Sequence, residues 1–381
     1  MKAVSAVEIL KDLVAIPSVS SVSNCPIIDY IARHLDPGAW NISMLPYRDS
    51  AGLEKVNFVA VTKGTASAQP ELALVCHTDT VPFEPDWKEA FNPAVRDDRL
   101  YGRGSCDVKG FLSCILAAVS STDITRLKRP LALVFTADEE IGCVGARLIA
   151  KENAIRSRYM VIGEPTGLTP VHAGKGYALG EIVVHGKPAH SAFPQHGHSA
   201  IRDAARVIER LDEVATRLAA ETDTGFDPPF TTLNVGLIRG GSAKNIVPAE
   251  CRITVEWRPI PGQDPRWAAT LIEEQLASLR NEFLDFHARL DIQRLDPAFR
   301  SSGSDLSSML ESMTGRTATT VAFGTEAAHL APLASEVVVF GPGDMTTAHK
   351  SGEFVPIPEL AHCQAYLTML IEQLCRAPKG T

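Results

Sequence analysis

Leu72-Ala-Leu-Val-Cys-His-Thr-Asp79 decides the fold: an unbroken apolar run of strand length passes directly into His77 and Asp79. A short continuous apolar run bounded by polar residues reads as a strand buried on both faces, as in a parallel sheet. The same pattern recurs along the chain. Leu131-Ala-Leu-Val-Phe135 leads into Ala137-Asp-Glu-Glu140, and Tyr159-Met-Val-Ile162 leads into Gly163-Glu-Pro-Thr166. Glu336-Val-Val-Val-Phe340 leads through Gly341-Pro-Gly343 to Ala348-His349. Further strands are expected at 57–62 and 320–323, and helical patterns at 108–120, 142–152, 304–313 and 359–375. Buried strands alternating with helices predict an α/β fold with a mixed central sheet flanked by helices.

The middle of the chain reads differently. Tyr177–His185 alternates like a half-exposed strand, and 199–218 carries Ile201, Ala204, Ala205, Ile208 and Leu211 on one helical stripe. Strands are expected at 231–238, 247–257 and 288–292, with a second helix at 267–284. Strand–helix–strand–strand–helix–strand is the order of a small antiparallel sheet covered by two helices. The expected organisation is a discontinuous catalytic domain, 1–175 and 291–381, interrupted by an inserted α+β lid and dimerisation domain at 176–290.

Composition narrows the function classes. With 381 residues, 45% hydrophobic and 22% charged, the chain is long enough for two domains and is neither disordered nor fibrous. The balance of 37 Lys+Arg against 45 Asp+Glu gives a net charge of −8. That balance, without basic clusters, excludes counterion-releasing nucleic-acid binding and docking on acidic membranes. No run reaches the length of a membrane span. Eight cysteines without a C-x-x-C pair, several in apolar runs, read as reduced core residues. Residues 1–18 read as an amphipathic helix instead of a secretory leader, so a cytoplasmic protein is expected.

In open α/β sheets the ligand crevice lies outside the carboxyl ends of the strands. His77, Glu139 or Glu140, Glu164 and His349 follow four such ends, and Asp107 opens the helix after Gly102-Arg-Gly-Ser-Cys106. Taken singly, each has an ordinary reading: Asp107 as a helix cap, Glu139 and Glu140 as a surface pair, His77 as a loop histidine. Together they form a set of imidazoles and carboxylates suited to a borderline cation such as Zn²⁺. A serine hydrolase lacks its G-x-S-x-G elbow here, and a two-carboxylate glycosidase leaves both histidines unexplained.

The ordered series His77-x-Asp79, Gly102-Arg-Gly104, Asp107-x-Lys-Gly110, Asp138-Glu-Glu140, Gly163-Glu-Pro165 and Ala348-His349 resembles the co-catalytic dizinc deacylases and carboxypeptidases. The resemblance implies a zinc-peptidase-like catalytic domain holding two Zn²⁺, with Co²⁺ as a substitute. It implies that Asp107 bridges the ions, that His77 and Glu164 complete one site, and that Glu140 and His349 complete the other. Glu139 would then be the general base, and Asp79 would orient His77. His190, in Gly186-Lys-Pro-Ala-His190, would reach the other subunit's site and stabilise an oxyanion, which implies a homodimer through the inserted domain. Without the resemblance His190 reads as a surface histidine.

The resemblance also implies a small N-acyl amino acid as substrate. Asn245 and Arg258 resemble the family's carboxylate-binding stretch, with Arg suited to a bidentate grip, and Lys175 would add positive charge. Their ordinary readings are a turn residue and an exposed charge. Phe323-Gly324-Thr325-Glu326-Ala327 is similar to the Thr-Glu-Ala segment of the acetylornithine deacetylases in that family. Gly324, Thr325 and Glu326 are therefore expected at the substrate, with Glu326 facing an ornithine ammonium. Other deacylases or dipeptidases of the family, and a non-catalytic binding protein, stay open at this point.

Overall fold

The computed structural model describes residues 5–376 apart from Ala66 and Ala68, so the outermost ends of the expected catalytic domain lie outside the described residues. These residues form two compact units. The first runs up to His172 and includes Arg300–Thr319 and the chain from Thr325 onward; the second comprises Ala173–Phe299 and Thr320–Gly324.

The first unit is built on strands β1 (Trp40–Arg48), β2 (Glu54–Thr62), β3 (Leu72–His77), β4 (Leu131–Thr136) and β5 (Ser157–Gly163). The second unit supplies β6 (Tyr177–His185), β7 (Thr232–Gly240), β8 (Glu250–Arg258) and β9 (His287–Asp296), and β10 (Ala334–Phe340) returns to the first. The larger helices are α1 (Ala6–Ala15), α2 (Cys25–Arg33), α3 (Lys109–Ser121), α4 (Val144–Glu152), α5 (Ala200–Leu218), α6 (Trp267–Glu282), α7 (Asp305–Thr314) and α8 (Ile357–Ile371).

In the first unit the sheet order is β1-β2-β4-β3-β5-β10. The inner strands β4, β3, β5 and β10 pair in parallel, whereas β1 and β2 are antiparallel additions at one edge. Every residue of β3 and β4 is buried, as their unbroken apolar runs require. Alternate residues serve one face: Leu72, Leu74 and Cys76, then Leu131, Leu133 and Phe135, join Val338 and Phe340 in a core with α1, α3 and α8. Helix α3 is apolar nearly all round and buried on every side, so it can only sit at the centre of this layer. Gly163 ends β5 where a Cβ would lie 2.1 Å from the Phe111 ring of α3, so only glycine admits that packing. Because the four inner strands run the same way, their carboxyl ends share one edge.

In the second unit the sheet is antiparallel, in the order β7-β8-β6-β9. Ala178, Ile182 and Val184 of β6 and Cys251, Ile253, Val255 and Trp257 of β8 pack under the apolar stripes of α5 and α6. Ser199 caps α5 by accepting from the Arg202 amide. This unit extends beyond the expected 176–290. The reason is that β9 pairs with β6 along its whole length, from His287 opposite His185 to Asp296 opposite Tyr177. It also takes in Thr320–Gly324, where the Lys175 amide donates to the Val321 carbonyl.

Among the described residues no helix is long and apolar enough to cross a membrane, and none of the eight cysteines is in a disulfide. Strand β1 and the three short strands Ala94–Arg96, Arg99–Tyr101 and Phe354–Pro356 were not expected from the sequence. Strand β1 is an edge strand whose residues are mostly exposed and which contains Pro46, so it carries neither an apolar run nor clean alternation.

Candidate metal centre

At the shared edge of the first unit, β3 ends in His77, β4 leads into the turn Asp138–Glu140, β5 leads into Glu164, and β10 leads to His349. Asp107 precedes α3. The structure brings all of these together. Donor atoms of His77, Asp107 and Glu164 lie within 4.8 Å of one another, and so do those of Asp107, Glu140 and His349. Asp107 is common to both groups. Its Oδ1 is 3.2 Å from His77 Nε2 and its Oδ2 is 3.1 Å from His349 Nε2. His349 Nε2 also lies 3.2 Å from Glu140 Oε1.

These distances suit bridged cations. Two donors each about 2.0–2.1 Å from a tetrahedral ion are held roughly 3.3 Å apart. Charge favours the same reading. Burial, with the charges of Asp107 and Glu139, pushes the Glu164 carboxyl well above its usual range. Burial likewise pushes Glu139 up to about 8, Glu140, Glu326 and Asp107 adding to it against the pull of His77. For His77 burial opposes charge, but its hydrogen bond to Asp107 and the surrounding carboxylates outweigh it and raise the imidazole. His349 is pushed up to about 10 by its bonds to Asp107 and Glu140. Asp107, which burial alone would raise, is instead held well below its usual range by its bonds to His349 and His77, and a divalent ion in each triad would supply the same positive charge. Two borderline ions fit this set of nitrogen and oxygen donors.

The supports of this cluster are main-chain groups clamped by side chains. His77 Nδ1 lies 3.0 Å from the main-chain oxygen of Asp79, and the Asp79 carboxylate stands farther off at 3.7 Å. The expected carboxylate contact to His77 is thus taken by the carbonyl two residues on. The carboxylate itself accepts from the amides of Glu139 and Glu140, at 3.0 and 3.3 Å, and from the Ser20 hydroxyl at 2.6 Å. The Cys143 thiol donates to Glu139 Oε1 at 3.4 Å. Behind Asp107, the buried Glu353 accepts from the amides of Cys106 and Asp107 at 2.9 and 3.1 Å, and Arg103 donates to its other oxygen at 2.5 Å. Lys109 is buried and donates to the Leu13 and Ile16 carbonyls, and burial lowers its ammonium to about 7.

Sequence reading missed Glu353, Arg103 and Ser20. Their partners lie tens to hundreds of positions away, and the one local signal was Glu353 following His349 at a helical interval. Of the stretch expected at the substrate, Thr325 is buried and accepts from the Ala327 amide at 3.1 Å. Glu326 is wholly buried: Thr136 donates to its Oε1, and its Oε2 has no partner among the described residues. Burial pushes this carboxyl up to about 7, against the pull of His77 and of the Thr136 bond.

The remaining expected residues belong to the second unit, as does Gly324. His190 is exposed, accepts from the Ala192 amide through Nδ1, and forms an isolated bridge with Ile246. The Ser191 amide donates to the Asn245 carbonyl at 3.0 Å, so these two loops run side by side. Arg258 lies over the Tyr177 ring at 4.4 Å and donates to Glu256. Lys175 is buried, its ammonium donating to the carbonyls of Pro228 and Phe230 at 2.8 and 2.6 Å. Its charge is committed to holding that segment.

The chain is similar to several known proteins. Acetylornithine deacetylase of Myxococcus xanthus is 43% identical over 368 residues, covering 96% of each chain. The acetylornithine deacetylase of Proteus mirabilis is 33% identical over 387 residues, 98% of each. Among solved structures, a tripeptidase from Staphylococcus aureus superposes with a TM-score of 0.76 at 22% identity, over 98% of each chain. Aminopeptidase PepT from Bacillus cereus gives 0.75 at 21%, over 97% of this chain and 98% of that one. At such identities the structures show the fold. The family model for peptidase family M20/M25/M40 matches residues 73–373, and the chain belongs to that family.

Proposed function

We propose that the chain is a metal-dependent amidohydrolase that converts N-acetylornithine and water to ornithine and acetate, in arginine biosynthesis and in the cytoplasm. One observation carries the chemistry: Asp107 presents one oxygen to each of two histidines, with Glu139 beside them. The relatives that are 43% and 33% identical over nearly their whole length carry the substrate. His77, Glu164 and Asp107 would hold one ion, and Glu140, His349 and Asp107 the other, with zinc as the metal. Bound ions would supply Lewis acidity that polarises the amide carbonyl and acidifies water.

Glu139 takes a proton from the attacking water as its oxygen adds to the acyl carbon. As the C–N bond breaks, Glu139 returns that proton to the amine nitrogen. In the metal-free chain burial and neighbouring carboxylates raise Glu139, and bound cations would bring it back toward the range of an ordinary carboxylate. Asp79 holds the base turn by its two amides. Asn245 and Arg258 grip the substrate carboxylate, and Glu326, with one buried oxygen unpartnered, reads the ornithine ammonium.

His190 completes the site of a second copy, stabilising the oxyanion across a homodimer. Support comes from strand β7, which ends its sheet with Val235, Leu237 and Ile238 exposed, and whose Gly240 lies beside the exposed Ile201. An unpaired edge with apolar side chains is a surface that a second strand can cover.

The test is metal analysis joined to hydrolysis of acetylornithine, succinyl-diaminopimelate, a neutral N-acetyl amino acid and a dipeptide. Two ions per chain and a preference for acetylornithine are expected. A preference for another member of the panel replaces the substrate and leaves the chemistry in place; no hydrolysis at full metal occupancy overturns the proposal. Light scattering of the Leu237→Asp variant reads the dimer, which should fall to monomer.

A further inference from the structure

The Lys55 ammonium projects from the second residue of β2, is wholly buried, and by two of its three hydrogen bonds reaches groups that hold the turn carrying Glu139. It donates to Asp138 Oδ1 at 2.7 Å, to the Ser20 carbonyl at 2.7 Å and to the Val22 carbonyl at 2.8 Å. Asp138 immediately precedes Glu139 and has a φ of 59°, a left-handed conformation that costs a non-glycine residue energy unless its surroundings enforce it. Its other oxygen accepts from the Tyr47 hydroxyl at 2.8 Å. Tyr47 stands opposite Lys55 in the β1–β2 ladder, so two neighbouring donors grip one carboxylate.

The second route closes a ring. Ser20, held at its carbonyl by Lys55, donates through its hydroxyl to Asp79 Oδ2. The Asp79 carboxylate in turn takes the amides of Glu139 and Glu140. Asp138 therefore fixes the base turn through its own carboxylate, Asp79 fixes it through a carboxylate that takes the amides of Glu139 and Glu140, and Lys55 joins the two. A buried ion pair is weak evidence for stability, since apolar replacements of like volume do as well. What this one provides is direction: Asp138 cannot relax out of its strained φ without leaving an ammonium unpaired.

We propose that Lys55 and Asp138 are positioning residues for the general base, a closed hydrogen-bonded ring through Ser20 and Asp79 holding the Glu139 turn at the geometry that proton transfer needs. This rests on the hydrolytic reading of Glu139 given above. Misplacing a catalytic group by about 1 Å costs on the order of 100-fold in rate.

The experiment compares Lys55→Met, Asp138→Asn and Tyr47→Phe in the full chain. Lys55→Met should lower kcat about 100-fold with KM and bound metal unchanged, and Asp138→Asn about 10-fold. Tyr47→Phe, which leaves Lys55 in place, should cost severalfold. Hydrogen exchange of the metal-free chain supplies a readout independent of turnover. Glu139 and Glu140 amides should lose at least tenfold of their protection in Lys55→Met while the amides of β3 and β5 keep theirs. Should Lys55→Met not fold, Asp138→Asn and Tyr47→Phe carry both measurements. Unchanged protection at 139–140, or a kcat within threefold of the parent, overturns the positioning role. So does a fall in metal content parallel to the fall in kcat. If the parent chain hydrolyses nothing, the functional reading fails, and exchange alone still decides whether Lys55 fixes the turn.

Discussion

The metal centre of the first unit and the exposed residues of the second are built on opposite principles. His77, Asp107 and Glu164 are buried with their donor atoms within 4.8 Å of one another, His77 is bonded to Asp107, and the group is backed by Glu353, Asp79 and Lys55. The exposed His190 ring accepts from the Ala192 amide and lies beside the Phe193 ring, and strand β7 turns most of its residues outward. The first region is a preorganised set of nitrogen and oxygen donors. The second leaves that strand and the His190 loop exposed. Preorganisation is concentrated where charge must be placed to a fraction of an ångström.

Substitutions can break that contrast. The largest effect is expected from Asp107→Ala, because one residue serves both triads: bound metal should fall at both sites together and kcat by about 10⁴-fold or more. Metal analysis showing one ion retained in full would separate the triads. Glu139→Gln should keep both ions and lose about 10³-fold in kcat, within the usual range for a general base. His190→Ala sharpens the other side of the comparison. It should cost about 100-fold in kcat, as for an oxyanion donor, with no change in metal content. Loss of an ion from that variant would place His190 among the ligands and collapse the distinction.

The smallest effect belongs to Glu326, whose carboxyl is pushed by burial from 4.5 to about 7. The folded chain then binds this proton more tightly than the unfolded chain. The associated stability is fully present below about pH 4.5 and is lost as pH rises through about 7, amounting to on the order of 3 kcal/mol. Denaturant titrations of the metal-free chain at pH 5 and pH 8 should show that drift on top of those of Glu139 and Glu164, and Glu326→Gln should reduce the slope by its own share. A variant with the parent's pH slope would mean that the buried carboxyl is solvated. In the loaded enzyme the same variant should lose preference for acetylornithine over a neutral N-acetyl amino acid.

Much of the first region was legible because its ligands follow unbroken apolar runs. Leu72–Cys76 and Leu131–Phe135 announce parallel strands, and a parallel sheet collects its strand ends on one edge. The supports were not legible for a physical reason. Lys55 meets Asp138 across 83 positions and Glu353 meets Cys106 across 247, and such pairings leave no periodicity in the chain. A lysine inside the buried strand 54–62 was the one local sign, and it does not say which carboxylate it faces. The role of Asp79 turned for a related reason: spacing puts an acid two residues from His77, but only the fold shows that its carbonyl meets the ring and its carboxylate the base turn.

The clamp of Glu353 on the Cys106 and Asp107 amides also sets a schedule for synthesis. Asp107 leaves the ribosome long before Glu353 and before His349, its partner in the second triad. For that whole interval the emerging chain carries a bridging carboxylate with neither its main-chain clamp nor half of its ligands. Loading of the second triad therefore waits until residue 349 has been made.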